Sequence, residues 1–153
     1  PLPGEVMIFL PILVQPKSVG SITLDGHNNP VIDPQYLSDP SDVEVLLKAI
    51  DFCQQLASAE GLSSLAGDAL LPPKDSLEDY VRSNASTLWH PVGTCRLGQD
   101  PSTSVVNSSL QVHGIPNLHI CDSSVTPYVT AGNNHVPSLV TAELLSDVLL
   151  GLS

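Results

Sequence analysis

One stretch limits the local fold more than any other: Trp89-His90-Pro91-Val92-Gly93-Thr94-Cys95-Arg96-Leu97-Gly98. Pro91 lacks an amide hydrogen and fixes its own φ, and Gly93 and Gly98 follow closely. The pattern predicts a sharp turn rather than a continued helix. At the head of that turn stands an imidazole, a ring that can take a proton. A lone His-Pro reads most simply as a surface turn with a satisfied histidine. A second stretch, Thr130-Ala131-Gly132-Asn133-Asn134-His135-Val136-Pro137, stands just ahead of a helical pattern. Two imidazoles, each set in a Gly/Pro-shaped turn, are candidates to meet in one cleft as a proton-handling pair.

The remaining chain reads as short elements. Residues 6–14 are an apolar run, closed by Gln15-Pro16-Lys17 and reopened by Gly20-Ser21-Ile22-Thr23-Leu24, which predicts two short strands around a turn. Asp25-Gly26-His27-Asn28-Asn29-Pro30 is dense in turn formers and places His27 in solvent, and Val31-Ile32-Asp33-Pro34 is a further extended piece. Ser41-Asp42-Val43-Glu44 has the capping-box pattern. The helix it opens carries Leu46, Ala49, Ile50, Cys53, Leu56 and Ala57 on one stripe and fades by Gly61. After a connection over 61–76, Asp75 or Ser76 caps a short helix from Leu77 to about Ser83. Val105-Val106-Asn107, Leu110 to Gly114, and Leu118 to Asp122 read as short strands, with His113 and His119 alternating against apolar neighbours. The last helix is expected to start at Pro137, to show an apolar face of Leu139, Val140, Leu144, Val148 and Leu149, and to stop at Gly151.

Composition narrows the class. With 153 residues, 42% hydrophobic and 14% charged, the chain can build one core and not obviously two. It begins at Pro1 without a methionine and enters an apolar run at once, so we expect one piece of a longer chain. Five Lys plus Arg against a net charge of −11 exclude a nucleic-acid surface, since little is present to neutralise phosphates. No apolar run is long enough for a transmembrane segment. The three cysteines, Cys53, Cys95 and Cys121, have no CxxC spacing and an odd count, which argues against a disulfide framework and against a metal site. The sequons at Asn84 and Asn107 are expected by chance. His135 precedes the free N–H groups of a helix start, which suit an anion or a cofactor atom that becomes negative.

Taken together, these stretches resemble the C-terminal part of glucose-methanol-choline (GMC) oxidoreductases, the FAD-dependent alcohol oxidases and dehydrogenases. The matching residues are Trp89 to Gly98, then Val105-Val106-Asn107-Ser108-Ser109-Leu110-Gln111-Val112-His113-Gly114-Ile115-Pro116-Asn117-Leu118. They continue in Cys121-Asp122-Ser123-Ser124-Val125-Thr126-Pro127, Gly132-Asn133-Asn134-His135-Val136-Pro137 and Ala142-Glu143. Upstream, Lys17-Ser18-Val19-Gly20, Thr23-Leu24 and Ile32-Asp33-Pro34-Gln35-Tyr36-Leu37 look like the family's substrate-domain strands. The family usually has Met where Leu97 stands, Asp where Asn107 stands and Ala where Ser123 stands.

The resemblance implies an α+β fold: an antiparallel substrate-domain sheet with flanking helices, and a C-terminal strand and helix that return to an FAD-binding Rossmann-like domain. It implies a substrate-binding portion over 1–104 and a segment over 105–153 that completes the site. His90 is implied as the base on a substrate hydroxyl and His135 as its partner, with hydride transfer to flavin N5. Trp89, Asp122, Ser123 and Val136 are implied as FAD contacts. The implied partners are a small-molecule alcohol and the N-terminal FAD-binding part of the same enzyme. The dinucleotide fingerprint G-x-G-x-x-G does not occur in the sequence, so weak FAD binding, or none, is expected of the chain alone. Rival expectations are a lyase on the same scaffold with a structural flavin, and a non-catalytic truncated remnant. A serine hydrolase is weaker, because no G-x-S-x-G elbow occurs.

Overall fold

A computed structural model describes residues 5–70 and 72–152, so residues 1–4 of the expected 1–104 portion, Leu71 of the expected connection and Ser153 of the expected 105–153 segment lie outside the described residues. The elements in order are β1 (Ser21–Leu24), β2 (Pro30–Asp33), α1 (Pro40–Ala57), α2 (Leu77–Asn84) and α3 (His135–Leu150), with 3-10 turns at Lys74–Ser76 and Ser123–Val125. Among the described residues this is an α+β piece with one two-stranded antiparallel sheet and three helices. Contacts divide it into two compact units. One holds residues up to Gly20 with Pro34–Ser86, the other Ser21–Asp33 with the residues from Thr87 on.

In the first unit α1 is started by Asp39-Pro40. Asp39 is extended, its carboxylate accepts the Ser41 N–H at 2.8 Å, and Pro40 occupies the first turn, where no amide hydrogen is needed. The expected Ser41–Glu44 capping box does not form, because the Ser41 hydroxyl donates back to Asp39 at 2.7 Å. Leu46, Ala49, Ile50, Cys53 and Ala57 are half-buried as the stripe predicted, whereas Leu56 is exposed. Ser76 precedes α2 as expected but makes no side-chain cap. The two helices pack together, with Val43 and Val81 as their buried apolar side chains. Asp42 is buried beside them. Its carboxylate accepts the Lys17 N–H at 2.9 and 3.1 Å, the Ser18 N–H at 2.8 Å and the Ser18 hydroxyl at 2.6 Å. Burial raises the Asp42 pKa, but these donors outweigh it and hold the group below the ordinary carboxylate value.

In the second unit β1 pairs with β2, Ser21 opposite Asp33 and Leu24 opposite Pro30. Asp25 writes this register: its carboxylate accepts the His27 N–H at 2.8 Å, the Asn29 N–H at 2.9 Å and the Asn29 side chain at 3.1 Å. Asn28 supplies the left-handed residue at φ 62°. The expected strand over 6–14 is absent. Pro11 removes a ladder donor from the middle of that run, and the Asx-type turn gives β1 a nearer partner.

The core of the second unit is Val106, fully buried, with Leu110, Val125 and Leu145, ringed by Cys95, Val112, Ile120 and Cys121. The strands expected at 105–107, 110–114 and 118–122 are reduced to single bridges, Leu97 to Val106, Val106 to Val112 and Gln111 to His119. Left-handed backbone at Leu110 and Gly114 turns the chain at both ends of the 110–114 run, Asn117 does so just before 118–122, and the Asn107 side chain takes the Ser109 and Gln111 N–H groups at 2.9 and 3.2 Å. The C-terminal strand at 118–122 is therefore corrected to a bridged loop.

The start of α3 is corrected from Pro137 to His135, and Gly151, at φ 69°, ends the helix as expected. Its inward face is also corrected. Leu145 is buried, Pro137, Ser138, Thr141 and Ala142 are half-buried, and Leu139, Val140, Leu144, Val148 and Leu149 are exposed. The helix is apolar nearly all round, so periodicity did not single out one stripe. Ser138 and Thr141 can face inward because their hydroxyls donate to the Asn134 and Pro137 carbonyls, each at 2.8 Å. No helix among the described residues is long and apolar enough to cross a membrane.

Candidate active site

The His90 turn, the Ser123–Val125 turn and the start of α3 all belong to the second unit. Trp89 opens the turn with φ 61°, a left-handed conformation that a bulky residue rarely adopts, and its side chain is 80% exposed. Its amide is held locally by the Thr87 hydroxyl at 3.0 Å. His90 follows, half-buried. Gly93 lets the chain fold back at φ 83°, where a Cβ would stand 3.6 Å from the Thr126 carbonyl. Beyond it, the Cys95 and Leu97 amides donate to the Ser124 and Val125 carbonyls at 3.0 and 2.9 Å.

The opposite wall is the start of α3. The Asn133 carboxamide oxygen accepts the His135 N–H at 2.8 Å, Pro137 has no amide hydrogen, and the Ser138 N–H returns to the Asn134 carbonyl at 3.2 Å. Val136 therefore presents the one open amide of the first turn among the described residues, beside a side chain that is 63% exposed. The Asn134 side chain reaches across to the Pro91 carbonyl at 3.5 Å. The structure thus brings the two histidine-bearing segments together through their neighbours, and no hydrogen bond joins the rings themselves among the described residues.

Asp122 is exposed and accepts the Ser124 N–H at 2.8 Å, capping the 3-10 turn that begins at the half-buried Ser123 and packs against α3. Of the other three histidines, two hold backbone carbonyls. His27 lies exposed in the hairpin turn. His119 Nδ1 lies 3.2 Å from the Ser109 carbonyl. His113 Nε2 lies 3.0 Å from the Ser104 hydroxyl, a spacing that resembles a nucleophile and its base. Proton bookkeeping excludes that role. Ser104 has one hydrogen and donates it to the Asp100 carbonyl at 2.6 Å, so it accepts from Nε2–H, which also faces the Gly98 carbonyl at 3.2 Å. His113 is a clamp on the 98–104 loop. Asp100, in the same loop, is held below the ordinary carboxylate value by the Ser102 N–H at 2.8 Å.

Residues 16–142 match the family described as GMC oxidoreductase. The chain belongs to the GMC oxidoreductase family. It is 38% identical over 160 residues to an uncharacterized GMC-type oxidoreductase of Mycobacterium tuberculosis, a match spanning 97% of this chain and 30% of the relative. It is 37% identical over 143 residues to an alcohol dehydrogenase [acceptor] of Pseudomonas putida, covering 88% of this chain and 26% of that protein. The crystal structure of pyridoxine 4-oxidase from Mesorbium loti superposes with a TM-score of 0.78 at 31% identity, over 86% of this chain and 27% of that one. This GMC chain thus spans about a third or less of the length of these relatives.

FAD is the cofactor of GMC oxidoreductases. The residues here fit one edge of it. An exposed indole and an exposed Val136 offer apolar surface, and the open Val136 amide at a helix start offers a donor where negative charge suits the helix dipole. The residues that sequence reasoning passed over are Asn133 and Asn134. Two asparagines just before a helical pattern are a capping signal, and that signal could have found them.

Proposed function

We propose that this chain is the C-terminal part of an FAD-dependent oxidoreductase acting on the CH–OH group of a small-molecule alcohol. His90 takes the proton from the substrate hydroxyl, raising electron density on oxygen as the carbinol hydride departs. His135 holds the substrate oxygen from the opposite wall. Bound FAD supplies the two-electron acceptor for that hydride, at N5. Trp89 and Val136 would offer the flavin apolar surface, the open Val136 amide would donate to it, and Asp122 and Ser123 would hold the rest of the cofactor. Residues 1–104 contribute the substrate side and residues 105–153 complete the site, with the dinucleotide supplied by an N-terminal part of the same enzyme.

The observation that carries this reading is the Asn134 to Pro91 contact, which sets the turn bearing one imidazole against the helix start bearing the other. The test is anaerobic reduction in the FAD-loaded protein that carries these residues, followed by visible absorbance with a panel of alcohols. An active alcohol bleaches the flavin, and His90→Ala slows bleaching by about 10²–10⁴-fold, the usual worth of a positioned base. A preparation without flavin, or bleaching indifferent to His90, refutes the assignment.

A further inference from the structure

We propose that Asn134 is a positioning residue that sets the place of His90 through the Pro91 carbonyl. This rests on the reading of His90 as the base. The main chain of Asn134 belongs to α3: its carbonyl accepts the Ser138 N–H at 3.2 Å and the Ser138 hydroxyl at 2.8 Å. Its side chain does no capping. The amide instead donates 3.5 Å across to Pro91, a partner 43 residues away in sequence. Capping of α3 falls to the preceding Asn133, whose oxygen holds the His135 amide. The two neighbouring asparagines therefore divide the work, one placing His135 and the other placing His90.

The His90 turn has two ends, and they are held differently. Its far end is fixed by the Cys95 and Leu97 amides on the Ser124 and Val125 carbonyls. At its near end, which carries His90, the other hydrogen bond among the described residues is the local Trp89 to Thr87 bond. Among the described residues the Asn134 amide is the one hydrogen bond that links 88–92 to a distant part of the chain. At 3.5 Å the bond is long and contributes little energy. Its role is register, and catalytic contacts that are long without ligand tighten when substrate is bound. Removing it leaves the helix and the far end in place and lets His90 sample a wider arc, where displacements near 1 Å cost up to about 10²-fold in rate.

The test compares wild type, Asn134→Leu, Asn134→Ser and Asn134→Gln in the FAD-loaded protein, with His90→Ala as reference. Two readouts are taken: anaerobic flavin reduction at varied alcohol, and hydrogen exchange of peptides covering 86–94 and 136–150. For the Leu and Ser variants we expect kcat to fall about tenfold, KM to stay within about twofold, and exchange in 86–94 to quicken while 136–150 is unchanged. Gln, which keeps the amide on a longer arm, recovers part of the rate. An unchanged rate in both variants beside a crippled His90→Ala overturns the proposal. So does faster exchange throughout α3 in both, which makes Asn134 a support of the helix instead. If His90→Ala reduces flavin normally, the functional reading has failed. Exchange then decides alone: a quickened 86–94 upholds the link to Pro91, and an unchanged one overturns it.

Discussion

Asp42→Asn tests how a single buried carboxylate fixes the first turn of α1. The wild-type group satisfies three donors, the Lys17 N–H, the Ser18 N–H and the Ser18 hydroxyl. The hydroxyl cannot turn elsewhere without loss, because its oxygen also accepts the Asp39 N–H at 3.0 Å, next to the residue's own capping carboxylate. An asparagine keeps the shape but offers one oxygen and points an NH₂ at a remaining donor. Hydrogen bonds to a charged acceptor contribute about 1.5–3 kcal/mol each and are not additive, so losing one or two of them costs about 3 kcal/mol. That is about a 10²-fold shift in the unfolding equilibrium. Urea unfolding followed by far-ultraviolet circular dichroism at neutral pH measures it.

The sign with pH follows from the lowered carboxylate. A depressed acid stabilises the fold above its unfolded value, about 3.9, and that contribution disappears as pH falls through the folded value. The gap between wild type and Asp42→Asn is therefore full near neutrality and narrows below about pH 4. A loss smaller than about 1 kcal/mol, or a gap that does not change on acidification, refutes the reasoning.

Two further substitutions probe the second unit. In Gly98→Ala the new Cβ would stand 2.8 Å from the Ser104 Cβ, on the loop His113 clamps, so we expect about 1–3 kcal/mol of destabilisation in thermal melting. Leu145→Ala empties a buried site against Val106, Leu110 and Val125 and should cost about 2–4 kcal/mol in denaturant unfolding, whereas Leu144→Ala on the exposed flank should cost far less.

Helix α1 was legible because Leu46, Ala49, Ile50 and Cys53 repeat at helical spacing, yet its cap is Asp39, two residues ahead of the expected Ser41. Ser41 and Asp39 are both good caps, and only the proline between them decides. The hairpin strand β2 was legible, but β1 pairs with it rather than with the 6–14 run, since alternation alone does not say which neighbouring segment is the partner. Around Val106 the short apolar runs looked like strands, and the left-handed residues that break them include Leu110, which no turn rule flags. Both histidine turns were visible in their prolines and glycines. What sequence could not supply is the link between them, because the Asn134 amide meets Pro91 only once the chain has folded.

The direction of the proton at His113 also settles what Ser104 can do. An imidazole that donates through Nε2 to Ser104 and Gly98 has no lone pair on that nitrogen to draw the hydroxyl proton away. The one hydrogen of Ser104 is already committed to the Asp100 carbonyl. A serine and a histidine at hydrogen-bond distance are here a brace for the 98–104 loop, and a nucleophile-directed reagent should find nothing activated there.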